Sequence, residues 1–298
     1  MSPTSSLPAP TGAPPVADVL IGLYVQALRT GRGWTQRDLA LLLGRPPHWI
    51  ADLERARRSA TAEDLSTVLL RCGIADYNIV RGLQAWLMPS PEPHTLTDRA
   101  PGAEERLHHF EYSASAIRLC APFQLPAFLR TPAYAQALEN AACTGEEQVS
   151  SGRRLLPVCA SLLVVLDETV LGRLAGSPAV KAEQIAYLQQ VVDRDEVRLL
   201  VTPKNAMGLP EQLCELTLYD FDHPLYVVEQ GHPVYLNGPP ASGRSRHRLI
   251  TNALEAAAGS DHSQHLLAKY LKRFRRQPTA GQGAARVPAP LSAAPRNR

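Results

Sequence analysis

The chain offers little sulfur chemistry. Its five cysteines, Cys72, Cys120, Cys143, Cys159 and Cys214, are scattered over 298 residues with no C-x-x-C pair among them. That odd, dispersed set argues against a disulfide framework or a thiolate zinc site and fits reduced thiols in a cytoplasm. Long apolar runs are also missing. The longest, residues 155–166, contains Pro157 and falls well short of the ~20 residues a membrane-spanning helix requires. The opening stretch MSPTSSLPAPTGAPP has no basic region followed by an apolar run, so no secretory signal is expected. Neither G-x-S-x-G nor G-x-x-x-x-G-K occurs, which removes the usual support for a hydrolase or a P-loop enzyme. There is no internal repeat, and a net charge of only +3 names no partner by itself. These absences predict a cytoplasmic protein that does not associate with membranes and carries no cofactor or metal.

What is present is apolar material, 45% of residues, enough for a substantial core. The length fits two ordinary domains. Residues 1–16 and 277–298 are rich in Pro, Ala and Gly with few large apolar groups, so disordered ends are expected. Four prolines and no apolar period in MPSPEPHTLTDRAPG, residues 88–102, predict a linker over 89–102. Two folded blocks remain, 17–88 and 103–276.

The first block reads as all helix. Leu20, Leu23, Tyr24 and Leu28 recur at helical spacing. Thr35 with Asp38, and Thr61 with Asp64, each carry the N-cap and the acid of a capping box. Pro46 and Pro47 fit the first turn of a further helix at about 46–55, where a missing N–H does no harm. The second block reads as α+β or α/β. Thr131 before Pro132 and Ser177 before Pro178 open helices, and 161–167, 197–202, 214–221 and 224–229 are strand-like. A final helix is expected over 246–258 or 261–275.

Within the first block, Ala40 supplies the small residue a helix-turn-helix needs where its two helices cross, and Gly44 the turn. Leu39, Ile50 and Leu53 supply the apolar contacts. From Arg29 to Arg58 there are seven arginines and only three acids, Asp38, Asp52 and Glu54. The string WTQRDLALLLG…WIADLERARR resembles the repressor-type (XRE) helix-turn-helix family over Asp18 to Trp86. The resemblance implies docking in a major groove, as a homodimer on half-sites about one helical turn apart, with Arg29 paired to Glu54. This chain departs from the family at the tip of the recognition helix, where Pro46 and Pro47 replace the usual donors. Phosphate contacts should therefore dominate. The expected contact set is Gln36, Arg45, His48, Trp49, Arg55, Arg57 and Arg58, of which His48, Trp49 and Arg45 are the ones to reach base edges. The same helices also fit a plain module for protein contact.

Residues 104–276 resemble the C-terminal domain of unknown function carried by many actinobacterial XRE-type regulators. The likeness rests on FEYSASAIRLCAPFQLPAFLRTPAYAQAL, VVLDETVLGRLAGSPAVKAEQIAYLQQV, VRLLVTP and LYVVE, in that order. Pro126 to Thr131 is a diverged copy of that family's P-G-L-L-Q-T, and Leu166-Asp167-Glu168 with Leu171 keeps its L-D-E-x-x-L. Such regulators are described as antitoxin-like, so the resemblance implies dimerisation and a small protein partner encoded nearby. A metabolite is the other candidate input, with Phe123, Phe128, Tyr219 and Tyr226 available to line a site. Two rival readings stay open. One is a metal-dependent nuclease using Asp167, Glu168, Asp193, Asp195, Glu196, Asp220 and Asp222, since acids at strand ends hold Mg²⁺ well. The other is a module that titrates a partner. His108-His109 and His262-x-x-His265 lack accompanying acids or thiols at metal spacing, and Lys269, Lys272, Arg273, Arg275 and Arg276 form a run without an acid.

Overall fold

A computed structural model describes residues 13–142, 155–204, 206, 211–237 and 240–277. Most of both expected disordered ends, and Cys143, lie outside the described residues.

The first block is helical, as the periodicity predicts. It consists of α1 (Val16–Thr30), α2 (Gln36–Leu42), α3 (Pro47–Glu54), α4 (Ala62–Arg71) and α5 (Tyr77–Ala85). Both capping boxes form: Thr35 and Asp38 close α2, and Thr61 and Asp64 close α4. The aliphatic residues of α1 are almost all inaccessible, with Leu20 and Val25 fully buried, because α1 is packed on both sides.

The second block carries β1 (Thr95–Thr97), α6 (Ala103–Ser113), β2 (Ala114–Ala121), α7 (Pro132–Ala142), β3 (Ser161–Asp167), α8 (Glu168–Gly172) and α9 (Pro178–Asp193). It continues with β4 (Arg198–Thr202), β5 (Leu213–Leu218), β6 (Leu225–Gln230), β7 (His232–Leu236), α10 (Pro240–Ala256) and α11 (Ser260–Arg275). The strands form one mixed sheet in the order β1-β7-β6-β5-β2-β3-β4. Strands β2, β3 and β4 are parallel and the remaining pairs antiparallel. Alternation sends Val164, Leu166, Leu199 and Val201 into the main core and Val165, Leu200, Cys120 and Tyr226 toward α10. Both candidate final helices exist, one on each face. The outer edge of β4 is partly covered, since Ser263 Oγ accepts from Val201 N–H and Ala258 N–H donates to Val201 O.

The stretch expected as a linker is built into the fold. β1 lies within it and pairs with β7, and Val16 N–H donates to Pro93 O at 2.8 Å. Asp98, fully buried, takes a bidentate bond from Arg106 Nε and Nη2 at 2.9 and 2.7 Å. Arg106 also donates to Pro101 O and Ala100 O, and its guanidinium lies over the rings of Tyr24 in α1 and Trp86 after α5. Prolines here remove donors that an edge segment does not need, while one buried acid finds every bond it requires. The two blocks therefore share one continuous core. The N-terminal stretch also starts earlier than expected: Asn237 Nδ2 donates to Pro14 O and Val16 is buried.

Candidate nucleic-acid interface

Helix α3 is held by α1 and α2. Gly22 of α1 lies so close that a Cβ built on it would sit 2.6 Å from Leu53 O and 2.8 Å from Glu54 O, so only glycine allows this crossing. Arg29 Nε and Nη2 donate to the two carboxylate oxygens of Glu54 at 2.6 and 3.0 Å, the pairing implied by the family resemblance. From α2, Gln36 Nε2 donates to Glu54 Oε2 at 2.7 Å. Leu39, Ile50 and Leu53 are buried beneath, and Ala40 leaves room for the crossing. Gly44, at φ +63°, makes the turn between α2 and α3 in the left-handed region that only glycine enters freely.

The far end of α3 has its own device. Ala56 adopts φ +50°; its N–H donates to Leu53 O, and Arg57 N–H donates to Asp52 O at 2.8 Å. This is a Schellman ending with alanine where glycine is usual. It satisfies the last carbonyls and turns Arg57 and Arg58 out of the helix. Both are exposed and neither is paired with a carboxylate among the described residues.

The remaining expected contacts are placed unevenly. His48 is exposed, and Arg45 is exposed but bonded to Asp64 Oδ1 at 2.8 Å. Burial pushes the Asp64 carboxyl up, but bonds from Thr61 and Arg45 outweigh it and hold the group below the usual range. The Thr35 hydroxyl and N–H do the same for exposed Asp38. Two expectations are corrected. Trp49 is only 4% exposed, and the guanidiniums of Arg45 and Arg58 lie over its ring at 5.4 and 5.5 Å. An indole covered by two cations does not reach a base edge; it orders the arginines that cover it. Gln36, expected to reach a phosphate, has its amide engaged by Glu54. Arg55 spans to the second block and meets Asp220 at 3.3 Å, a partner its sequence distance concealed.

Elsewhere the candidate chemistry disperses. Asp167 caps α8 by accepting from Thr169 N–H, and Glu168 accepts from Tyr270 Oη and Lys204 N–H. Among the described residues no three His, Cys, Asp or Glu side chains come together at metal-binding distance. Phe128 and Tyr226 are buried whereas Phe123 and Tyr219 stand exposed, so these aromatics do not line one site. A small polar cavity of about 10 Å³, with Glu111, Gln124, Arg130, Gln212 and Glu229 among its walls, has room for roughly one water. Gln184, fully buried, bonds Thr131 N–H and Leu129 O, which makes the diverged P-A-F-L-R-T stretch a fold element. Burial, opposed by Arg118 and assisted by Glu215, pushes the Cys120 thiol up to about 12, so it is a poor nucleophile.

Residues 105–269 match the family described as Domain of unknown function (DUF5753). The chain belongs to this family. The DUF5753 match begins inside α6 and ends inside α11, so it takes in every strand except β1 and leaves α1–α5 outside. Comparison with curated proteins gives no match. No helix among the described residues is long and apolar enough to cross a membrane.

Proposed function

We propose that this chain is a DNA-binding transcriptional regulator whose α2–turn–α3 unit is an XRE-type helix-turn-helix. On this reading α3 enters a major groove, and the DUF5753 domain supplies dimerisation and senses a small protein or ligand. The observation that carries it is the pair Arg57 and Arg58, neither bonded to a carboxylate among the described residues, turned out at the end of a helix braced by Arg29, Glu54 and Gly22. Buried bracing beneath an exposed cationic rim is what groove docking demands, because position comes from the phosphates. With Pro46 and Pro47 silent and Trp49 covered, His48 and Arg45 alone approach base edges. Selectivity per half-site is accordingly modest, and paired half-sites on a dimer restore it.

Titration of duplex DNA at several salt concentrations tests this. Arg57→Ala should weaken binding to all sequences alike and lower the slope of log K against log[salt] by about 0.9, the share of one phosphate. Unchanged affinity and slope would remove α3 from the interface.

A further inference from the structure

From the exposed face of α11 we infer a second duplex-binding surface, separate from α3, that grips the phosphate backbone without reading sequence. This rests on the reading of the chain as a DNA binder but uses a different surface. His262, His265, Lys269, Lys272, Arg273 and Arg276 are all exposed. At 100° per residue they fall within an arc of about 100°, and at 1.5 Å per residue they extend over ~21 Å. The opposite side, Ser263, Leu266, Leu267, Tyr270 and Phe274, is buried against the core. Lys181, 5.8 Å over the Phe274 ring, and Lys204, 5.9 Å over that of Tyr270, lie over rings of that opposite side and are not part of the ridge. None of the ridge side chains meets a carboxylate within ion-pair distance among the described residues.

A favourable end to a helix dipole accounts for the last turn only. It leaves Lys269 and His265 unexplained. A protein partner fits poorly, because its interface would want an aromatic or aliphatic centre, and no large hydrophobic residue of α11 is exposed. Charge along a straight ridge, with no apolar anchor, complements a row of phosphates. Placement completes the case. α11 packs on β4 at one edge of the sheet, whereas α3 packs on α2 and α1. The second grip therefore holds DNA beyond the α3 half-site or a neighbouring segment.

The test uses the full chain and a 40-base-pair duplex of arbitrary sequence, with poly-glutamate as a second probe. Lys269→Gln, Lys272→Gln, Arg273→Gln and Arg276→Gln are combined, and the double variant Lys269→Gln/Lys272→Gln is made in case the fourfold one fails to fold. Arg57→Ala/Arg58→Ala serves as the α3 arm. We expect the fourfold variant to lose about tenfold or more in affinity at low salt and up to about 3.6 units of salt slope, with roughly half that slope change in the double variant. The α3 variant should keep this contribution. If the α11 variants bind duplex as the parent does, or lose poly-glutamate binding alone, the inference falls. If the α3 variant is unaffected while the α11 variants lose binding, the α3 reading falls and this surface stands.

Discussion

Arginines flank α3 and basic side chains line α11, yet the structure treats the two sets of charges in opposite ways. Around α3, Arg29 is locked to a buried carboxylate, Arg45 to Asp64, Arg55 to Asp220, and Arg45 and Arg58 to an indole face. Along the exposed face of α11 no lysine or arginine meets a carboxylate among the described residues. The first arrangement positions a few groups at the expense of freeing them; the second supplies an electrostatic field without fixing any group in place. Arginine's planar, multi-donor head suits the first task, and α11, where lysine and histidine join the arginines, suits the second.

Glu54→Ala should break the comparison most forcefully. It strands Arg29, which is 8% exposed, and removing one partner of a buried pair costs about 3–5 kcal/mol. Chemical denaturation should show a loss of that size, whereas glutamine substitutions on α11 should stay within about 0.5 kcal/mol. A small effect of Glu54→Ala would mean that α3 is no better braced than α11. Next in size is the role assigned to Trp49. Trp49→Phe keeps a ring beneath Arg45 and Arg58, and Trp49→Leu does not. Each cation–π contact at an exposed site is worth about 0.5–1 kcal/mol. The leucine variant should therefore bind duplex several-fold more weakly than the phenylalanine variant when both are compared well below their melting temperatures. Equal affinities would reduce Trp49 to core packing.

Much of this was legible in the sequence where the signal is local. Capping boxes, prolines at helix starts and the Gly44 turn rest on residues within a few positions of one another, and those elements appear where the spacing puts them. Strands β3, β4, β5 and β6 follow from apolar runs. The pattern hides β7, whose Pro233 argues against a strand, and β1, only three residues long inside a proline-rich stretch. It also hides β2, because α6 runs into it without a turn signal. Of the candidate site, the sequence names residues but not their contacts. Nothing near Trp49 says that two guanidiniums cover it, and the partners of Arg45 and Arg55 lie 19 and 165 residues away. Only the family resemblance anticipated the Arg29–Glu54 pair.

The contact between Arg55 and Asp220 yields the smallest and most discriminating change. It joins the C-cap residue of α3 to the turn after β5, with side chains 39% and 46% exposed. Such exposed pairs contribute about 0.2–1 kcal/mol and are screened by salt, so Asp220→Asn should barely alter stability. Its effect on binding is another matter. On the proposed reading, Asp220 competes with phosphate for the same donor and repels the duplex. With the acid neutralised, Arg55 joins Arg57 and Arg58, and the salt slope should steepen by up to about 0.9. The gain should vanish in Asp220→Asn/Arg55→Ala, a double-mutant cycle that separates release of Arg55 from general loss of negative charge. If the gain persists without Arg55, Asp220 acts on the duplex through its field alone, and α3 and α11 differ less than their contacts suggest.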